Sequence, residues 1–222
     1  ILFSNLSNQT AISSILFKIN SISELSDNQE KTVSLIKKDS YQENSSLKKL
    51  YLITETKEIP TSHVCSYIRI NKPRLAFAKI IKEFFEKKQK AIIQSEIDPS
   101  IKLGKNVIIG KNCVIGKKLS IGDNSIINHN IVIHDNTLIG NNCYIKSNTT
   151  IGEDGFGFEL DENNIPIRIP HLGKVIIENN VEIGASCTVA RGTIKDTLLK
   201  NNVKIYDNVH IAHNCIIGEN SI

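Results

Sequence analysis

A chain of 222 residues with 40% hydrophobic content holds enough apolar material for one or two globular cores and is not a disordered polymer. Its formal charge of +4, without a Lys/Arg stripe interleaved with aromatics, excludes a nucleic-acid platform and suits an acidic or phosphorylated partner. No apolar run approaches the ~20 residues of a membrane span, so no integral membrane segment is expected. The opening ILFSNLSNQTAISSILF has no basic n-region and is broken by Ser, Asn and Gln, which argues against a signal peptide. The chain contains no Met and is expected to begin inside a longer gene product. Five cysteines without a C-x-x-C pair argue against a disulfide framework or zinc ribbon and point to a reducing, cytoplasmic setting.

Residues 1–95 read as a small α/β domain. KKLYLITE (48–55) and CSYIRI (65–70) have the composition of strands. PRLAFAKIIKEFFEKKQ (73–89) reads as an amphipathic helix. Pro73 suits its first turn, Phe77, Ile80, Ile81, Phe84 and Phe85 line one face, and lysines close it. SEIDPS then leads into a second domain, 96–222.

There a six-residue period takes over. Leu103, Ile109, Ile115, Ile121, Ile127, Ile133, Ile139, Ile145 and Ile151 stand six apart, and Gly follows six of these nine. Three positions after each of those before Ile151 stands Asn, with Lys118 the exception. This period matches neither a helix nor a flat strand. It predicts a mainly β fold, a left-handed parallel β-helix in which three hexads close one coil and coils stack at roughly 4.8 Å. Asn suits the corners because it tolerates left-handed backbone. Cys113, Cys143, Cys187 and Cys215 share the slot four after the repeated Ile, so they are expected to be small core fillers.

The period stops at about 152–174, where GEDGFGFELDENNIPIRIPHLGK cannot form hexads. Insertions into a regular repeat concentrate at functional sites. Gly155-Phe156-Gly157-Phe158 lacks the third Gly and following helix of a dinucleotide fingerprint; two Phe flanked by Gly suit an apolar lip over a sugar or acyl chain. The hexads resume at Ile177, Ile183 and Val189, slip by ten residues to Leu199, and continue through Ile205, Ile211 and Ile217. The helix ends without a cap, so further coils are expected beyond residue 222. His213 falls two residues after the inward Ile211 and one before the corner Asn214, on the outer surface near a corner. His129 and His134 have no third ligand nearby, and no metal is expected.

IGEDGFGF, IPHLGKVIIENNVEIGASCTVARGTIKDT and VKIYDNVHIAHNCIIGENS together resemble the LpxD family, the UDP-3-O-(3-hydroxyacyl)glucosamine N-acyltransferases of lipid A synthesis. The resemblance implies a homotrimer that moves a 3-hydroxyacyl chain from acyl carrier protein to the 2-amine of a UDP-3-O-acylglucosamine, without a cofactor. It implies that the AHN histidine, His213, is the general base, a task an imidazole suits near neutral pH. Phe156, Gly157, Phe158, His210 and Asn214 would line the substrate. The front domain is similar to the family's uridine-binding domain, whose uracil-stacking aromatics fall on Leu35 and Tyr41.

This sequence departs from that pattern at several positions. Leu35 replaces an aromatic, Lys38 an Asn, and Ala190 an acidic residue. Tyr206 stands where the family has an Asp oriented on the histidine, with Asp207 next to it. Either a local bulge repositions Asp207, or His213 lacks that partner. His210 points outward, toward substrate or toward solvent and a neighbouring subunit. Two alternatives follow from these departures: a divergent hexapeptide acyltransferase using an acyl-CoA on another nucleotide sugar, or a trimeric scaffold without turnover.

Overall fold

The computed structural model describes residues 21–22, 32–35, 50–54, 64–85 and 90–222. Two compact units divide the chain, Ile1–Lys88 and Gln89–Ile222. In the first, strands Ser21–Ile22, Thr32–Leu35, Leu50–Thr54 and Val64–Arg69 pair in that order as a parallel sheet. An α-helix follows at Pro73–Ile80, with Pro73 at its first turn, where the missing N–H costs nothing. The helix expected over 73–89 continues past Ile80 with a widened backbone, a π-helix at Ile81–Phe85, and its last four positions lie outside the described residues. Ala76 and Ile80 are buried, whereas Ile81 is exposed. The wider turn carries Ile81 off the buried stripe.

The second unit is the parallel β-helix that the six-residue period predicts. Three parallel sheets form its walls, with six, five and six strands. Each coil places one strand of two or three residues on each wall, and pairing is in register: Ile108 faces Ile126, which faces Tyr144. The ladder opens at Ile92–Ile93, paired with Ile108–Ile109. The repeated residues Ile109, Ile121, Ile127, Ile133, Ile145, Ile151, Ile177 and Ile183 are all buried. Burial of each such side chain is worth roughly 1.5–3 kcal/mol, and this single file of aliphatics is the core.

Corners use a second repeating device. Asn106, Asn112, Asn124, Asn130, Asn142 and Asn148 have φ between 55° and 65°, as does Asn214 at 62°. Two residues other than Asn, Lys118 and Ser186, occupy the same conformation. The residue before the corner accepts a backbone N–H from the coil beneath: Lys105 N–H donates to Asp123 Oδ1 at 2.7 Å, and Lys117 N–H to Asp135 Oδ1 at 2.7 Å. Cys113, Cys143 and Cys187 are buried and Cys215 half-buried against the core, as expected of fillers. Burial pushes the Cys143 thiol above its ordinary range.

The insertion leaves the coil at Gly152, whose φ is +86°. It folds as an antiparallel hairpin, Phe158–Leu160 with Pro166–Arg168, and rejoins the wall at Val175–Ile177. Strands Tyr144–Ile145 and Glu182–Ile183 still pair in register across it. No described helix is long and apolar enough to cross a membrane.

Candidate active site

Strand His210–Ile211 sends Ile211 into the core and leaves His210 exposed. The turn that follows brings out His213, half-buried, and then Asn214 at the left-handed corner. The ten-residue slip packs against this turn. Thr193 N–H donates to Asn214 Oδ1 at 3.2 Å and Thr193 Oγ1 to the same oxygen at 3.1 Å. Asn214 Nδ2 donates to the Lys195 carbonyl at 3.0 Å, and Asn214 N–H to Thr197 Oγ1 at 3.0 Å. These partners fix which end of the Asn214 amide is oxygen.

That assignment determines the state of the histidine. His213 Nδ1 lies 2.8 Å from Asn214 Oδ1, an acceptor, so Nδ1 carries the hydrogen. Thr193 Oγ1 stands 3.4 Å from the same nitrogen. Nε2 is then the unprotonated nitrogen, the one able to take a proton from a substrate.

The insertion closes over this ring. A Cβ on Gly155 would lie 2.6 Å from His213 Cδ2 and 2.9 Å from His171 Nε2, so only glycine fits there. Gly157 sits equally close to the second ring, 3.0 Å from His171 Cε1 by the same measure. His171 is 4% exposed, and its ring meets that of His213 edge to face, with centroids 4.9 Å apart at 75°. Phe156 and Phe158 project outward as a tilted pair 5.0 Å apart, Phe156 almost fully exposed, and Arg168 caps Phe158 at 5.0 Å.

Arg191 ties the root of the insertion to the coils. Its Nε donates to the Gly152 carbonyl at 2.6 Å, its Nη2 to the Asp135 carbonyl at 3.0 Å, and its backbone N–H to the Glu153 carbonyl at 2.9 Å. His134 Nε2 approaches Glu153 Oε2 to 3.0 Å, at ion-pair distance but off the line of a hydrogen bond.

The structure thus brings His213 and Asn214 together, and places Phe156, Gly157 and Phe158 on the insertion whose Gly155 meets the His213 ring. Asp207 is elsewhere. No bulge turns it: it holds a regular corner position, accepting the Ala185 N–H at 2.8 Å and pairing with Lys146 Nζ at 3.3 Å. The Ala185 N–H and then Lys146 hold its carboxyl below the usual carboxylate range. Tyr206 points into solvent at 83% exposure. Leu35 ends strand Thr32–Leu35, its side chain outside the described residues, as are Lys38 and Tyr41 altogether. His171 and Thr193 are the neighbours that the sequence reading did not single out. The one available signal for His171 was a histidine inside the only long break in the hexads. Among the described residues no three His, Cys, Asp or Glu side chains converge as a metal site would require.

Comparison with known proteins agrees with the coils. A family model for the bacterial transferase hexapeptide (six repeats) matches residues 196–222, and one for the hexapeptide repeat of succinyl-transferase matches residues 100–134 and 174–194. The chain is 50% identical over 72 residues to the UDP-3-O-acylglucosamine N-acyltransferase of Dechloromonas aromatica (strain RCB), covering 32% of this chain and 20% of that protein. It is 52% identical over 71 residues to the protein of the same name from Francisella tularensis subsp. holarctica (strain FTNF002-00 / FTA), 32% of this chain and 21% of the relative. The matched stretch therefore spans about a fifth of the length of these curated relatives. Among solved structures, the UDP-N-acetylglucosamine acyltransferase of Francisella novicida aligns with a TM-score of 0.48 at 30% identity, covering 58% of this chain and 46% of that one.

Proposed function

We propose that this chain is part of an N-acyltransferase of lipid A synthesis, acting on a UDP-3-O-acylglucosamine, with His213 as its general base. The observation that carries this reading is the His213–Asn214 pair: an imidazole with Nδ1–H held by an amide oxygen and Nε2 left free, beneath an insertion flanked by exposed aromatics. The similarity to proteins named UDP-3-O-acylglucosamine N-acyltransferase supports the substrate class.

In this mechanism the 2-amine of the sugar attacks the thioester carbonyl of a 3-hydroxyacyl group carried by acyl carrier protein. His213 Nε2 takes the proton that the amine loses as the C–N bond forms. Collapse of the tetrahedral adduct breaks the C–S bond, and the imidazolium returns its proton to the departing thiolate. No covalent enzyme intermediate is needed, in keeping with the thiols of Cys113, Cys143 and Cys187 being buried in the core. Phe156 and Phe158 cover the acyl chain or sugar, and His210, Asn214 and Gly157 line the approach. Tyr41 stacks on the uracil in the front domain, with Leu35 and Lys38 beside it. The working enzyme is a cytoplasmic homotrimer.

Mass spectrometry of the full-length protein with the UDP-sugar and a mixture of 3-hydroxyacyl carrier proteins tests this. A product that disappears in His213→Ala is expected; acetyl transfer from acetyl-CoA instead would transfer the reading to another hexapeptide acyltransferase. One observation favours a second reading. Asp207 is committed to Ala185 and Lys146, and among the described residues no carboxylate is hydrogen-bonded to His213. Nucleotide binding with no product from any donor would identify a scaffold without turnover.

A further inference from the structure

His171 presents a problem that the coil does not explain. The side chain is 4% exposed, yet it belongs to an inserted loop and lies outside the aliphatic file of the core. Its Nδ1 lies 3.0 Å from the Ile169 carbonyl, so the hydrogen is on Nδ1. Its Nε2 is then a bare acceptor, and it is buried with no hydrogen-bond partner. Burying an unsatisfied polar atom costs about 1–3 kcal/mol. A hydrocarbon side chain would fill the space without that cost, and what the imidazole does pack against is the His213 ring, edge to face.

We infer that His171 is a positioning residue for His213: a buried imidazole, locked in one tautomer, that braces the base and carries its positive charge through an unprotonated Nε2 and ring instead of a carboxylate. The inference rests on the reading of His213 as the base. A neutral aromatic next to a cation is attractive. A second proton, on His171 Nε2, would find no hydrogen-bond acceptor among the described residues. Glycine at 155 lets the backbone pack against both rings, and glycine at 157 lets it pack against His171.

The other groups around the pair leave this role to His171. Asn214 and Thr193, neutral, face His213 from its own turn and from the slip; Lys195 offers its carbonyl to Asn214. Arg191 is directed to the Gly152 and Asp135 carbonyls. The described carboxylates in ion pairs, Glu153 and Asp207, hold His134 and Lys146. Asp154 and Arg168 lie on the insertion, Arg168 over Phe158.

The test is an NMR titration of the histidine rings in the full-length protein, with the His213 resonance assigned by its loss in His213→Ala. His171→Phe keeps a ring and removes the nitrogens; His171→Gln keeps a polar group and removes the ring. In both, the pH midpoint of the His213 ring is expected to fall by roughly half a unit to one unit, and the acid limb of kcat/KM with it. Turnover should fall about threefold to tenfold, with the thermal midpoint of the coils retained. A His213 midpoint that stays in place in whichever variant folds would overturn the inference. The titration needs no substrate. A shifted midpoint in a protein that makes no acylated product would keep the pairing and reject the acyltransferase reading.

Discussion

The coils before residue 152 and those after it are built from the same hexad but use the same residue types differently. In the earlier coils Gly140 is glycine because backbone atoms of Glu178 crowd it, and Asn142 serves its corner and the asparagine of the adjacent coil, accepting from Asn124 Nδ2 at 3.4 Å. In the later coils Gly155 is glycine because two imidazoles crowd it, and Asn214 holds a histidine as well as a corner. The aliphatic file runs through both regions without change. The comparison teaches that the fold and the candidate site are separable: the core is redundant along its length, and the proposed chemistry draws on one insertion and one slip that leave it undisturbed.

Two substitutions should separate them most widely. His213→Ala is expected to lower turnover by about 10²–10⁴-fold, the range for a general base, while the unfolding midpoint stays put. Ile145→Ala, in the plain coils, should cost about 2–5 kcal/mol in denaturant unfolding, because a fully buried side chain leaves a cavity between rigid strands. If His213→Ala melted the coils, or Ile145→Ala abolished activity in a protein that remained folded, the separation would fail.

The glycine and asparagine pairs sharpen the comparison at smaller scale. Gly155→Val should reduce turnover more than tenfold by driving a side chain into His213, with little loss of stability, since the insertion can lift from the wall. Gly140→Val should do the reverse, because its obstacle is backbone. Asn142→Ala should cost about 1 kcal/mol at a left-handed corner and nothing in turnover. Asn214→Ala should cost a similar amount of stability and, by freeing the His213 tautomer, several-fold in kcat as well. Equal effects on kcat at the two asparagines would remove Asn214 from the site.

Most of the coil was legible because it is written many times over. Nine evenly spaced aliphatics fix the period, and asparagine at the corners matches the conformation found there. His213 was singled out through its motif, but the ring it meets, that of His171, was not. The contact between His171 and His213 joins two residues far apart in the chain, one of them in a loop with no period, and nothing local encodes it. The π-turn after Ile80 was hidden for a related reason: hydrophobic spacing reports which residues could share a face, and it is blind to a backbone that widens partway along.

The smallest expected effect tests which region Asp207 belongs to. It lies close in sequence to His213, yet its contacts copy those of Asp123 and Asp135 in the plain coils: a backbone N–H from the coil beneath, here with Lys146 added. Both contacts favour the carboxylate, so its folded-state pKa is lowered, the Ala185 N–H being the larger cause. A carboxylate lowered in this way contributes stability above its unfolded value, near 3.9, and loses that contribution as pH falls through the folded value. Asp207→Asn keeps an oxygen for the Ala185 N–H and removes the charge. Thermal unfolding from pH 7 to pH 3 should therefore show a slightly steeper acid loss for the unsubstituted protein, the two curves drawing together only below pH 4. Turnover at neutral pH should match. A large drop in turnover with unchanged acid stability would place Asp207 on His213 after all, and the later coils would then support their base as a carboxylate does.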